Sequence, residues 1–554
     1  MQSKTVDVLV IGSGAGGLTA AITAHDHGGD VLIVEKSDQY GGTSATSGGG
    51  IWIPCNHLMA NHGQSDSAEA ALTYLKACIG EDVSDVRLQA YVENAPKMLK
   101  YVMDKSYIKF ISTPYADYFP DLPGGMEGYR TLDPVPMNAA RLGEEFLTLR
   151  EPHFQTKFGG FTITIPEAQK IITRQKGWQM IIAKQMLAYK LDFPMRRKTK
   201  RHRRLTGGNA LVGMCLRSTM ERGIPIWCNA PMTSLIEEEG QVIGAIIEKE
   251  GQSITVKARR GVILAAGGFE SNQEMRAENL AQPTDKSWSA TPGTNHGDAH
   301  KAAKDIGVNL TLMDAAWWGP SVHVPGEDRS RVLFAERALP GVYIVNKKGE
   351  RFLNEAASYD VVGHQLQAHP LDSWIVFDRR AREKYAVGPL YPTSVHPDSK
   401  WSKGIKSLVA KADSLEDLAV QIGVDSAGLL ATADRVKRFS ETGIDEDFAK
   451  GGNAYDRYYG DPTIQPNPCM APLAKPPFYA FQIRPGDIGT KGGIDVDENA
   501  QALNVQGRSI GGLYAIGNCS SSVMGRTYPG AGSTIGPAMT FGYIAAKHAM
   551  GANA

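Results

Sequence analysis

An α/β fold with an α+β domain inserted into it is what this sequence predicts, and three observations carry the prediction. First, Val6 to Val10 is a strand-like run leading straight into Gly12-Ser13-Gly14-Ala15-Gly16-Gly17 and then a helical stretch, Leu18 to His27. Second, a further apolar run, Asp30 to Val34, ends on the acid Glu35. Third, from about Ser287 to Phe481 the texture changes to Trp-, Pro- and Asp-rich connections with short helices, after which Leu513 to Ile516 resumes as a strand. Strand, glycine turn, helix and strand in that order open a Rossmann-like domain. Gly12 makes the tight turn, Gly14 lets the backbone approach a pyrophosphate beside Ala15, and Gly17 lets helix and strand pack closely, while the helix N-terminus attracts the phosphate charge. Glu35 is placed to accept hydrogen bonds from a ribose.

The residues after Glu35 select the dinucleotide. Beyond Lys36 come Gly41-Gly42-Thr43-Ser44 and Ser47-Gly48-Gly49-Gly50, a second run of small residues whose amides and hydroxyls suit a diphosphate and a flat ring. A nicotinamide enzyme has no need of that second cradle. A flexible loop is the poorer reading, because Ile51-Trp52-Ile53-Pro54 resumes at once. FAD is therefore the expected cofactor, and this makes the first domain a Rossmann-like FAD-binding domain. Further contacts to FAD are expected from Ala230, Ala266, Gly267, Asp298, Gly517, Asn518, Thr534 and Ile535.

The chain has 554 residues, enough for two or three domains, and its 59 basic and 59 acidic residues balance, so no global charge points to nucleic acid. Its six cysteines, Cys55, Cys78, Cys215, Cys228, Cys469 and Cys519, are scattered without metal-ligand spacing, so no metal is expected and the redox chemistry falls to the organic cofactor. No run resembles a signal peptide or a spanning helix. A cytoplasmic protein is expected, or one attached peripherally to the inner face of the cytoplasmic membrane.

Taken in order, Ser67 to Val102 has helical spacing and Pro114 to Arg130 is an aromatic, Pro- and Gly-rich loop that plugs the core or lines a pocket. Between Arg150 and Arg204 an apolar stretch with Ile171, Trp178, Met180, Met186 and Leu191 ends in Arg196-Arg197-Lys198-Thr199-Lys200-Arg201-His202-Arg203-Arg204. No nucleic-acid motif accompanies that basic run. The remaining readings are a solvated loop or an interfacial helix, residues 169–204 contacting anionic headgroups. Gly207 begins a helix, Pro225 to Cys228 is a strand, and Thr233–Glu238, Gln241–Lys249 and Ser253–Ala258 form a meander before the strand Gly261 to Leu264. Gly341 to Val345 and Phe352 to Glu355 read as a hairpin, and Thr534 to Met550 as a closing helix. The expected division is 1–286 for the FAD-binding domain with 150–206 as an amphipathic, basic insertion, 287–484 for the catalytic domain, and 485–554 for the return to the FAD-binding domain.

Five separated motifs, Val10-Ile11-Gly12-Ser13-Gly14-Ala15-Gly16-Gly17, Glu35-Lys36, Gly41-Gly42-Thr43-Ser44, Arg351-Phe352-Leu353-Asn354-Glu355 and Gly525-Arg526-Thr527-Tyr528-Pro529-Gly530-Ala531-Gly532, together resemble the 3-ketosteroid 1-dehydrogenases of the fumarate reductase and succinate dehydrogenase flavoprotein superfamily. The resemblance runs from residue 6 to the last helix, except for Arg150 to Arg204, where this chain is longer than compact members. It implies that the Tyr528 hydroxyl and the Gly532 amide polarise a steroid carbonyl at carbon 3, that Tyr359 removes a proton from carbon 2, and that Tyr118, with Tyr115 close by, assists Tyr359. It implies noncovalent FAD, since Gly42-Thr43-Ser44 lacks the histidine that tethers flavin in some relatives. Electrons are expected to leave to an external acceptor such as a quinone, because no second fingerprint for a nicotinamide is present.

The chemistry is consistent with elementary principles. Hydrogen-bonding a ring ketone lowers the cost of forming an enolate, and one oxyanion donor supplies roughly 3 to 4 kcal/mol. Tyr359 then needs a depressed pKa, since free tyrosine titrates near ~10. A hydride leaves carbon 1 for the flavin as the enolate collapses. Two enzymatic rivals are a 3-ketosteroid 4(5α)-dehydrogenase and a fumarate-reductase-like enzyme acting on another unsaturated substrate. The latter needs arginines and histidines to clamp carboxylates, and here Gly489-Thr490-Lys491 offers no histidine, while Arg526 is its one candidate. A third is a docked flavoprotein without turnover.

Overall fold

Two sheets organise the chain, and a computed structural model describes residues 2–552 of it. The first strand, Gln2–Ile11, pairs in parallel with Val31–Val34 on one side and with Gln252–Leu264 on the other. Ile226–Trp227 extends this sheet at one edge and Ser509–Ala515 toward the other. Val8, Val10, Val31 and Ile33 face the first helix, Ala15–Asp26, and the closing helix, Ile535–Ala549. Leu9, Ile11, Leu32 and Val34 face the opposite side, packing with Ala299, Ala302 and Ala303. Burial on both faces is why these strands read as unbroken apolar runs.

Several sequence-based boundaries shift, each for a physical reason. Ser253–Ala258 and Gly261–Leu264 are one strand, Gln252–Leu264, whose first half pairs antiparallel with Gln241–Lys249 and whose second half pairs in parallel with Ser509–Ala515. Its register with the first strand slips between Val6 and Val8, a bulge that adds twist near the change of partner. The helix Asp298–Lys304, beyond the expected boundary at 286/287, packs in the core of the first sheet. The long strand Phe478–Thr490 runs through the boundary at 484/485.

That long strand is central to the second, antiparallel sheet, where it lies between Ala316–Val322 and Ser373–Asp378. Val342–Val345 pairs with Ser373–Asp378, so the expected hairpin is not formed: a turn closes with the Asn346 N–H donating to the Glu350 carbonyl at 3.0 Å, but Phe352 to Glu355 is not a strand. Charge is the reason. Arg351 holds fully buried Glu355 through Nε and Nη2 at 2.8 and 2.9 Å and reaches Asp445 at 2.8 Å, with Lys450 at 3.4 Å from Glu355. The segment wraps this buried cluster instead of a ladder.

The insertion folds into a small hairpin, Lys157–Phe158 with Phe161–Thr162, and three helices, Ile165–Ile172, Trp178–Lys190 and Phe193–Lys198. Its basic run is not uniformly solvated. Arg203 pairs with Asp192 at 2.6 Å, Arg204 with Glu167 at 2.9 Å, and Arg201 donates to the carbonyls of Phe146 and Leu149. Met180, Leu187, Leu191 and Phe193 remain more than half exposed. No helix among the described residues is long and apolar enough to cross a membrane, and no group of His, Cys, Asp or Glu among them could hold a metal ion.

Candidate active site

One cavity of about 490 Å³ is lined both by the glycine turn and by aromatic side chains. At the turn, Gly12 has φ +109°, and a Cβ there would lie 2.4 Å from the Ala265 carbonyl oxygen, so only glycine closes the loop. The helix Ala15–Asp26 starts at Gly14 with no capping side chain, leaving first-turn amides available to an anion; Ser44 Oγ accepts from the Ala15 N–H at 3.2 Å. Glu35 is oriented by Ser13, whose N–H and hydroxyl donate to Oε2 at 3.1 and 2.6 Å, and by the Ser37 N–H at Oε1. Lys36 and Asp298 pair at 2.5 Å on the cavity wall.

All the residues expected to hold the cofactor line this cavity: Gly12, Gly14, Ala15, Gly17, Glu35, Lys36, Gly42, Thr43, Ser44, Ser47, Gly48, Gly49, Ala230, Ala266, Gly267, Asp298, Gly517, Asn518, Thr534 and Ile535. They come from segments spread between residues 12 and 535, joined because strands from both ends of the chain enter one sheet. Uncapped amides, an oriented acid and a cradle that side chains would fill fit a dinucleotide.

Tyr118, Tyr359, Tyr528 and Gly532 line the same cavity. Ring centroids are 5.1 Å apart for Tyr118 and Tyr528, 5.5 Å for Tyr359 and Tyr528, and 5.7 Å for Tyr118 and Tyr359. Each tyrosine has its own anchor. Tyr359 begins the helix Tyr359–Gln365, capped by Ser358 and preceded by the Arg351–Glu355 cluster. Tyr118 donates its N–H to the Pro529 carbonyl at 2.9 Å, an acceptor shared with the Tyr74 hydroxyl, so its loop is tied to the turn carrying Tyr528. Neighbouring Asp117 accepts from Trp52 Nε1 at 2.7 Å and Arg130 at 2.8 Å. Gly532 has φ +98°, and a Cβ would lie 2.5 Å from Ile51 backbone atoms; the Thr534 hydroxyl donates to the Tyr528 oxygen at 3.2 Å. Tyr115 instead packs on Tyr458 at 4.5 Å, Tyr459 and Tyr455.

Burial pushes the hydroxyls of Tyr118, Tyr359 and Tyr528 above the ordinary tyrosine value, Tyr118 and Tyr359 strongly so. For Tyr359 this corrects the expected depression. Desolvation dominates, and the neighbouring Tyr528 phenol adds to it. The Tyr118 hydroxyl is itself buried with no hydrogen-bond partner among the described residues.

Sequence reasoning missed Trp317, Asp360 and Lys491. Trp317 packs on Tyr528 at 4.7 Å and donates Nε1 to Asn518 Oδ1 at 3.0 Å; Lys491 and Asp360 form a buried pair beside both tyrosines. Lys491 lay in view before Gly492-Gly493, but no local pattern marks a lysine for burial. It also missed Asp133, which lines the cavity and whose carboxyl burial pushes up to about 7. No arginine is among the lining residues, and Arg526 sits at the surface, paired with Asp82 and Asp314 at 2.6 and 2.9 Å. It provides no carboxylate clamp in the cavity.

Fold and cavity together define a FAD-binding flavoenzyme. The family model for the FAD binding domain matches residues 7–535. The 3-oxosteroid 1-dehydrogenase of Mycobacterium tuberculosis (strain ATCC 25618 / H37Rv) is 39% identical over 565 residues, covering 99% of this chain and 99% of that protein. The 3-oxosteroid 1-dehydrogenase of Comamonas testosteroni is 40% identical over 572 residues, covering 100% and 97%. Among solved structures, 3-ketosteroid delta1-dehydrogenase from Sterolibacterium denitrificans, in complex with 1,4-androstadiene-3,17-dione, superposes with a TM-score of 0.95 at 46% identity, covering 99% of this chain and 100% of that one. The chain belongs to the 3-oxosteroid 1-dehydrogenase family of FAD-binding proteins.

Proposed function

We propose that this protein introduces the 1,2 double bond into 3-ketosteroids, with FAD bound noncovalently and the unit around residues 287–484 supplying much of the substrate wall. The observation that carries this reading is the trio of buried phenols that line, together with Gly532, the same cavity as the dinucleotide cradle. When bound, FAD supplies the acceptor for two electrons and the hydrogen of carbon 1. Tyr528 O–H and Gly532 N–H donate to the carbon-3 oxygen and stabilise the negative charge that gathers there. Tyr359 takes the proton of carbon 2 on its phenolic oxygen, and the Tyr118 hydroxyl hydrogen-bonds that oxygen while it is ionised. The aromatic walls exclude water, which strengthens both donors.

The test is anaerobic mixing of the FAD-loaded protein with a 19-carbon 3-ketosteroid, and separately with a 3-ketone bearing a cholesterol-type tail, followed by product analysis. Bleaching of the flavin with a new 1,2 double bond is expected. A flavin that stays oxidised, or a product desaturated at carbons 4 and 5, would overturn the reading.

We also propose that the insertion docks on the inner face of a membrane and that a quinone takes the electrons. Exposed Met180, Leu187, Leu191 and Phe193 lie beside exposed Lys184, Lys190, Arg197 and Lys198, the composition of an interfacial helix on anionic lipid. The helix Ile165–Ile172 of the same insertion lines the cavity through Ile165, Ala168, Gln169 and Ile172, which suits delivery of an apolar substrate from that surface.

A further inference from the structure

Lys491 is fully buried, and its ammonium has three acceptors for three N–H donors. They are the backbone oxygens of Arg526 at 2.9 Å and Thr527 at 2.8 Å, and Asp360 Oδ1 at 3.4 Å. The two carbonyls belong to the turn that presents Tyr528, and Asp360 directly follows Tyr359 in its helix. A single ammonium therefore ties the element carrying one tyrosine to the element carrying the other. Its nitrogen lies 4.5 Å from the Trp317 ring centroid and 6.0 Å from that of Tyr528. Asp360 is also buried, and its Oδ1 accepts the Trp318 N–H at 3.1 Å. A buried ion pair is by itself weak evidence for a stabilising role. The charges sit instead against the turn and beside the ring of Tyr528, the residue that on this reading holds the substrate ketone.

We infer that Lys491, with Asp360 as its counterion, is a positioning residue that fixes Tyr528 over the ketone and biases that site toward negative charge, while Asp360 tempers the bias. The inference rests on the ketosteroid reading above. The groups facing Tyr528 are the hydroxyls of Tyr118, Tyr359, Tyr455 and Thr534 and the charges of Lys491 and Asp360; Asp82 faces Lys491, and His364 faces Asp360. Removing the cation disfavours an anion at the site, and removing the carboxylate favours it, so the two changes act in opposite directions.

The experiment measures flavin reduction by a 3-ketosteroid as a function of pH in FAD-loaded wild type, Lys491→Met, Asp360→Asn and Lys491→Arg. Relative to wild type, the rising limb of the profile is expected to move up by about one unit in Lys491→Met and down by about one unit in Asp360→Asn, with Lys491→Arg restoring the wild-type position. Rate losses with no displaced limb, or both limbs moving the same way, would overturn the inference and leave a purely structural pair. Should Lys491→Met fail to retain flavin, the isosteric Asp360→Asn decides: an unmoved or raised limb rejects the inference. Failure of wild type to be reduced at all would instead reject the ketosteroid reading.

Discussion

Replacing Tyr528 with phenylalanine removes one oxygen from the site and leaves its packing in place. The ring is held by Trp317 at 4.7 Å, Tyr118 at 5.1 Å and Tyr359 at 5.5 Å, contacts that do not need the hydroxyl. In the folded ground state the change forfeits the hydrogen bond with Thr534 at 3.2 Å, a net loss of about 1 kcal/mol. In the transition state it removes one of two donors to the developing oxyanion, which costs about 2.7 to 4 kcal/mol, or roughly 10² to 10³ in rate. The Gly532 amide remains, which is why the loss should stop there. The expected result is thus a flavin-reduction rate 10² to 10³ below wild type at saturating ketosteroid, with flavin content retained and thermal stability little changed. Stopped-flow reduction under anaerobic conditions measures it directly. A limiting rate within about threefold of wild type would refute the assigned role. So would a loss confined to the apparent dissociation constant, because an interaction equal in ground and transition states does not alter the limiting rate.

Tyr359→Phe should remove exchange of the carbon-2 hydrogen with deuterated solvent and slow flavin reduction by about 10² to 10⁴; retained exchange would assign the proton to another group. Because burial raises Tyr359, only a small fraction is ionised near neutrality, and the wild-type reduction rate is expected to climb about tenfold per pH unit into the alkaline range. A flat profile would show that Tyr359 is not the base. Gly12→Ala places a Cβ 2.4 Å from the Ala265 oxygen at a φ of +109°, so the purified variant is expected to carry far less flavin per chain, read from its visible absorbance. Glu355→Gln leaves Arg351 and Lys450 short of a buried counterion and should cost about 3 to 5 kcal/mol in denaturant unfolding. Changing Met180, Leu187 and Phe193 together to glutamate should abolish co-sedimentation with anionic vesicles without altering flavin content, whereas unchanged sedimentation would reject the membrane contact.

Much of the cavity lining was legible in the sequence because the turns that form it are local. A turn that must be glycine at Gly12 expresses geometry within a few residues, and Glu35 at the end of the next strand belongs to the same strand–helix–strand unit, whereas the pairing of Tyr528 with Gly532 was implied by the family resemblance. The same locality made Gly207–Glu221 and Ile535–Ala549 readable as helices. The strand Gln252–Leu264 was harder, since nothing in its residues announces that the partner changes halfway along.

What tertiary structure alone decided was where charge and phenol end up. Phe352 to Glu355 has strand-like residues, yet Asp445 and Lys450, some ninety residues away, draw Arg351 and Glu355 into a buried cluster that overrides pairing. Arg201, Arg203 and Arg204 look like solvated charge until Asp192, Glu167 and two carbonyls claim them. The ionisation of Tyr359 follows the same rule, because a phenol's pKa depends on the medium around it, and that medium is assembled here from Tyr118, Phe334, Tyr455 and Tyr528, which meet only when the chain has closed. Desolvation and long-range charge carry no signature in the order of residues.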